Sequence, residues 1–209
     1  MPLTAPATQP GSRAVGVREA QRLQTRARVF DAAVAEIGRS GLAGADVAAI
    51  AAAAGVARGT FYFHFPTKEH VLVELERGEE LNIVATLDTG TTEPDDLMSM
   101  LRLLVHEVIA SEKRLGPVVF RDMLGLHFSA TRPVEDELAK HPLADFVIAA
   151  IGKAQTAGSV ARDADAGEFA VIFLTGLFAL LATEAVTSTD RNALLDRYVT
   201  TIVQGMETR

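Results

Sequence analysis

Hydrophobic residues recur along this chain at three- and four-residue steps, the period of an α-helix. Leu23, Ala27, Phe30, Val34 and Ile37 form one such stripe, and Ser40-Gly41 ends it. Val47, Ile50, Ala51 and Ala54 form a second, shorter one, with Asp46 placed to cap its first amides and Gly55 to end it in left-handed backbone. A third helix starts near Ala57 and carries Phe61, and either Phe63 or Phe65, back towards the core. Pro66 stops that helix, and Thr67 is placed to cap the next, expected to run to about Leu87. A polar turn follows over Thr89 to Asp96. Leu97, Leu101, Leu104 and Val108 then mark a helix ending near Ser111, and Pro117 opens another that reaches Phe128 before Thr131-Arg132-Pro133 breaks it. Val134 to about Thr156 reads as mostly helical, bent at Pro142, with Leu143, Phe146, Val147 and Ile151 on its buried face. Asp165 and Glu168 have the spacing of a capping pair, and the helix behind them is apolar nearly all round from Phe169 to Ala182. The last helix, about Asp190 to Met206, carries a broad stripe from Leu194 to Met206. The pattern predicts an all-α fold of about nine helices. Residues 1–17 show no period and predict a disordered tail.

The stretch from Ala45 to Phe65 carries the strongest functional signal. Ala51 lets two helices approach, Gly55 turns the chain, and Phe61 anchors the second helix, which is the layout of a helix-turn-helix. Arg58, Gly59, Thr60, Tyr62 and His64 are left facing outward as the DNA-facing group. Thr25 or Arg26, at the exposed start of the supporting helix, is placed to touch phosphate. Lys68 puts a cation in the first turn of a helix, against the helix dipole, which suggests a phosphate-holding job. The chain has a net charge of −7, but residues 1–68 hold eight basic and four acidic groups, and the remainder 12 basic and 23 acidic. A basic head on an acidic body can engage phosphates while the body repels them.

The residues Gln24 to Ala33, the turn around Gly55, and Phe61-Tyr62-Phe63-His64-Phe65-Pro66-Thr67-Lys68-Glu69 together resemble the N-terminal domain of the TetR family of transcriptional regulators. The resemblance covers roughly Thr25 to Leu72. It implies an all-helical homodimer whose N-terminal domains, here residues 18–66, bind double-stranded operator DNA. A regulatory and dimerisation body, here residues 67–209, would bind a small-molecule effector that controls release. It implies that Arg58, Gly59 and Thr60 meet base edges or adjacent backbone, and that Tyr62, His64 and Lys68 hold phosphates. Asp46, Val47 and Ala57 join Thr25 and Arg26 in the implied DNA-binding set. Two positions depart from the family's pattern. Ala57 stands where Ser or Thr is common, which removes a cap worth about 1 kcal/mol, and Phe61 stands for a more usual leucine.

In the body, the two apolar C-terminal helices suggest a four-helix dimer interface through Phe178, Leu195, Tyr198, Val199 and Ile202; a core helix within a monomer is the alternative. Large adaptable side chains suit a pocket for an apolar ligand, with Leu101, Leu104, Phe120, Met123, Phe146, Phe173 and Leu177 as its expected lining. The chain has no cysteine, which excludes disulfides and thiolate chemistry, and a cytoplasmic location is expected. Its longest apolar run is too short to cross a bilayer. No signature of a hydrolase, metalloprotease or nucleotide-binding loop occurs, so no enzyme and no cofactor is expected. An enzyme or a DNA-free interaction module are the competing classes. His106-Glu107, Asp122, His127 and His141 are scattered along predicted helices, and only a fold could bring them together on a metal.

Overall fold

The computed structural model describes residues 11–89, 96–133, 141–183 and 188–207. Among these, nine α-helices and one short 3-10 turn make up the fold. Helix α1 (Gly11–Gly44) begins inside the stretch expected to be a disordered tail. Its opening turns have no apolar period to reveal them, but extending an existing helix costs far less than nucleating one. The buried face of α1 is Val29, Ala33 and Ile37. Leu23 and Ala27, expected on that face, are exposed, because no other described helix covers these early turns. The helix breaks at Gly41, whose φ of 69° only glycine adopts without strain.

Helices α2 (Val47–Ala54) and α3 (Arg58–His64) form the helix-turn-helix. The Asp46 carboxylate accepts a hydrogen bond from Ala48 N at 2.9 Å and caps α2. Past the end of α2, Gly55 N and Val56 N donate to Ala52 O and Ala51 O at 3.1 and 3.0 Å, the paired bonds of a glycine-terminated helix. Phe61 and Phe65 are both buried, and they close a small core with Val29, Ala33, Val47, Ile50, Ala54 and Val71. Phe63 instead points outward, 71 % exposed.

Helix α4 (Lys68–Asp88) belongs to both halves of the molecule. Val71 enters the small core, while Leu72, Val73, Ile83 and Leu87 enter a much larger one. Thr67 precedes α4 without capping it, since its hydroxyl pairs with His70 Nδ1 at 3.0 Å. The large core is built by α5 (Leu97–Leu115), α6 (Pro117–Gly125), the 3-10 turn Leu126–Phe128, α7 (Pro142–Ala157), α8 (Ala166–Ala182) and α9 (Ser188–Met206). Helix α5 runs one turn past its expected end. Pro142 opens α7 rather than bending a longer helix, because its missing N–H costs nothing at a first helical position. The helical expectation for residues 134–140 lies outside the described residues, as does most of the expected polar turn before Asp96. The Asp165 cap of α8 is present, accepting from Glu168 N at 3.0 Å.

Helices α8 and α9 pack intimately within one chain. The Tyr198 hydroxyl donates to the backbone oxygens of Phe173 (2.8 Å) and Ile172 (3.0 Å), so its ring lies across Gly176. A Cβ at Gly176 would fall 2.8 Å from Tyr198 Cζ, inside van der Waals contact. Gly176 therefore serves a close crossing of α8 and α9 within one chain.

Candidate functional site

The outer face of α3 is where the sequence placed it. Ala57, Arg58, Gly59 and Tyr62 are exposed, and Thr60 and His64 are half-buried at its margins. Ala57 makes no side-chain cap, as its departure from the family pattern implied. The Arg58 guanidinium lies 6.0 Å from the centre of the Tyr62 ring, so the two side chains share one edge of the helix. Gly59 is informative by its surroundings: a Cβ there would meet no atom within 4 Å. No described neighbour demands glycine here, and the bare backbone leaves this turn of α3 open to close approach from outside. Burial holds the His64 imidazole below its ordinary pKa, and the nearby charges of Arg26 and Arg22 add to the effect. It is thus neutral at neutral pH, able to donate one N–H to a phosphate.

Four expected contact residues sit differently. Val47 is buried in the small core, so its side chain cannot reach a ligand outside. Asp46 is exposed but committed to capping α2. Arg26 forms a two-pronged ion pair with Glu74, one bond at 2.5 Å, while its guanidinium stacks 4.6 Å above the Phe65 ring. It ties α1 to α4 behind the recognition helix, and Thr25 is the freer of that pair, half-buried beside it.

Lys68 departs most from expectation. Its Nζ donates to Leu42 O (2.7 Å), Ala45 O (2.8 Å) and Ala43 O (3.3 Å). These carbonyls close α1 and lead into α2. A cation disfavoured by its own helix is here favoured by the C-terminal end of another. Asp122 attends the same corner, its carboxylate accepting from Leu42 N at 2.6 Å.

Inside the body, a narrow cavity of about 20 Å³ lies between α4 and α6, the space of a single water. Of the expected lining residues, Phe120 and Met123 border it. Leu101, Leu104, Phe173 and Leu177 are packed solid in the core, and Phe146 is half-buried against it. Glu76, Glu79, Glu80 and Ser111 form the polar side of the cavity; Phe178 and Leu143 join the apolar side. The expected dimer residues Phe178, Leu195 and Val199 are likewise buried within the chain, and Tyr198 and Ile202 are half-buried. The α9 stripe covers its own core. What α8 leaves uncovered is Val171 and Ile172, 53 % and 46 % exposed, with Ile148 of α7 also exposed.

Two of the scattered histidines do converge. His127 and His141 lie with ring centres 6.2 Å apart beside Glu76 and Glu80. Arg132 Nη1 donates to Glu76 Oε2 at 3.0 Å, and Glu76 Oε1 meets His127 Nε2. Burial works against ionising Glu76, but His127 and Arg132 together outweigh it and hold the carboxyl below the usual range. The pairing with Glu80 raises the His141 imidazole above its ordinary value despite burial. His106 stays apart, paired with Glu107 at the surface. A signal for the two acids was available: Leu72, Glu76, Glu80, Ile83 and Leu87 follow helical steps, so both glutamates interrupt an apolar stripe.

Residues 29–75 match the model of bacterial regulatory proteins of the tetR family. The HTH-type transcriptional regulator AcrR of Shigella flexneri is 34 % identical over 95 residues, 45 % of this chain. That match spans 43 % of the AcrR chain. Among solved structures, a putative tetR family transcription regulator from Shewanella sp. PV-4 superposes with a TM-score of 0.64 at 19 % identity, covering 88 % of this chain and 99 % of that one. The Thermus thermophilus FadR repressor in complex with lauroyl-CoA gives a TM-score of 0.66 at 21 % identity, covering 88 % and 96 %. These likenesses in fold cover most of the chain, well beyond residues 29–75.

Proposed function

We propose that the chain, whose residues 29–75 match the tetR family of bacterial regulatory proteins, is a repressor of that family. In this reading residues 18–66 bind palindromic operator DNA as a homodimer, and a small apolar effector entering the body of residues 67–209 releases them. The observation that carries the DNA reading is the outer face of α3, where Arg58 and Tyr62 stand free beside a glycine that no described neighbour demands. Val171 and Ile172 support the dimer, being large apolar side chains of one helix left to water. FadR of T. thermophilus was solved with an acyl-CoA, which supports an effector for this chain too. The cavity beside Phe120 and Met123 is the opening from which a binding space would widen. Widening it displaces α4, and α4 abuts the recognition helix through Phe65-Pro66.

The test begins with selection of bound fragments from sheared genomic DNA. A palindromic footprint and a dimer by sedimentation at micromolar concentration are expected. Val171→Asp with Ile172→Asp should give monomers that lose most operator affinity, because half-site docking needs two heads at fixed spacing. Wild-type monomers, or an asymmetric single-site footprint, would overturn the dimer. Binding without sequence preference would overturn the regulator itself.

A further inference from the structure

We propose that Glu76 and Glu80 of α4, with His141 at the start of α7 and His127 beside them, form a site for one divalent first-row metal ion such as zinc. Glu76 and Glu80 stand one helical turn apart on the buried face of α4, 3 % and 4 % exposed. One ligand atom from each, together with an imidazole nitrogen of His141, lies within 4.8 Å of the other two. Glu76 and Glu80 come from α4 and His141 is the cap residue that opens α7, so the packing of α7 on α4 brings the three together.

Charge bookkeeping within the core favours a cation. Glu76, Glu79 and Glu80 fall within two turns of α4, and the permanent cations paired with them among the described residues are Arg132 on Glu76 and Arg114 on Glu79. Among the described residues the contacts of Glu80 are long, His141 Nδ1 at 3.4 Å and Leu143 N at 3.3 Å. A buried carboxylate so weakly matched is costly. Glu76 Oε1 is also in direct contact with His127 Nε2, so a second imidazole nitrogen already stands at one of the two carboxylates and could exchange that ion pair for a shared metal ion.

The donor set selects the metal class. Imidazole with carboxylate suits zinc and its neighbours, whereas calcium and magnesium prefer oxygen alone. Histidine nitrogens sit about 2.0–2.1 Å from zinc, so two rings on one ion must approach closely, and these two do. The site stands independently of the effector reading above, because it needs neither DNA nor the widened cavity.

The full chain, stripped with a chelator, should be titrated with Co²⁺ and followed by visible absorbance, then with Zn²⁺ in competition with a chromophoric chelator. One ion per chain is expected, with the d–d band of a low-coordinate cobalt site. Glu80→Gln and His141→Ala should each weaken binding by at least roughly 100-fold, since even outer-shell partners of a metal are worth 10–100-fold. His106→Ala, on the exposed histidine, should leave the affinity unchanged. Absence of stoichiometric uptake by the wild-type chain would overturn the proposal whether or not the variants fold. So would uptake that persists in both Glu80→Gln and His141→Ala, because the ion would then sit elsewhere.

Discussion

Replacing Lys68 with methionine separates two jobs that one cation could perform. In the structure its ammonium spans the end of α1, donating to three backbone oxygens, two of them at 2.7 and 2.8 Å. Hydrogen bonds to a charged group contribute about 1.5–3 kcal/mol each. The site is half-exposed, so water can replace much of the loss. Counting the two short bonds at partial strength gives about 1.5–3 kcal/mol of stability removed from the corner joining α1, α2 and α4. For a chain of this size each kcal/mol shifts the melting temperature by about 2–4 °C, so Lys68→Met should melt roughly 3–12 °C lower. Methionine keeps the apolar stem, which confines the change to the charge. Thermal unfolding by circular dichroism measures the first quantity. Salt titration of operator binding measures the second, and its slope should stay close to wild type because the charge faces carbonyls rather than phosphates. The reasoning fails if the variant melts with the wild type while its salt slope falls by about 1, the signature of a lost phosphate contact.

Gly59→Ala should raise stability by roughly 0.5 kcal/mol, since alanine favours a helix and the position is open; it should also weaken operator binding by about 1–3 kcal/mol if DNA backbone approaches there, the range for overpacking a tight contact. Unchanged affinity by fluorescence anisotropy would remove Gly59 from the interface. Gly176→Ala should destabilise by about 1–2 kcal/mol in urea, because the new methyl displaces the Tyr198 ring. Partial burial pushes the Tyr198 phenol up to about 12, so the unfolded chain ionises it first and stability falls as pH rises from about 10 towards 12. Tyr198→Phe should flatten that alkaline loss by about 1–2 kcal/mol, discounted for partial exposure. An identical alkaline profile for both proteins would exclude the assignment.

The sequence alone determined the elements whose cause is local. Asp46 and Gly55 bracket α2, Asp165 starts α8, and proline begins α6, because caps, left-handed turns and missing donors act over a few residues. The outer group of α3 was legible for the same reason: once Phe61 is inward, helical geometry sends Arg58, Gly59 and Tyr62 outward. The choice between Phe63 and Phe65 was not, since the helix ends at His64 and Phe65 re-enters the core from extended backbone. Everything that depends on what lies across a gap was decided by tertiary structure. Lys68 and Arg26 read as phosphate ligands until α1 and Glu74 supplied intramolecular partners 23 to 48 residues away. The apolar stripes of α8 and α9 could have covered a partner chain or their own core. Packing chose the core for Phe178, Leu195 and Val199, leaving only Val171 and Ile172 outside. His127 and His141 carry no mutual signal in sequence, and they meet only because α7 folds against α4. An apolar stripe states that a face must be buried; it does not state against what, because the hydrophobic effect has no direction.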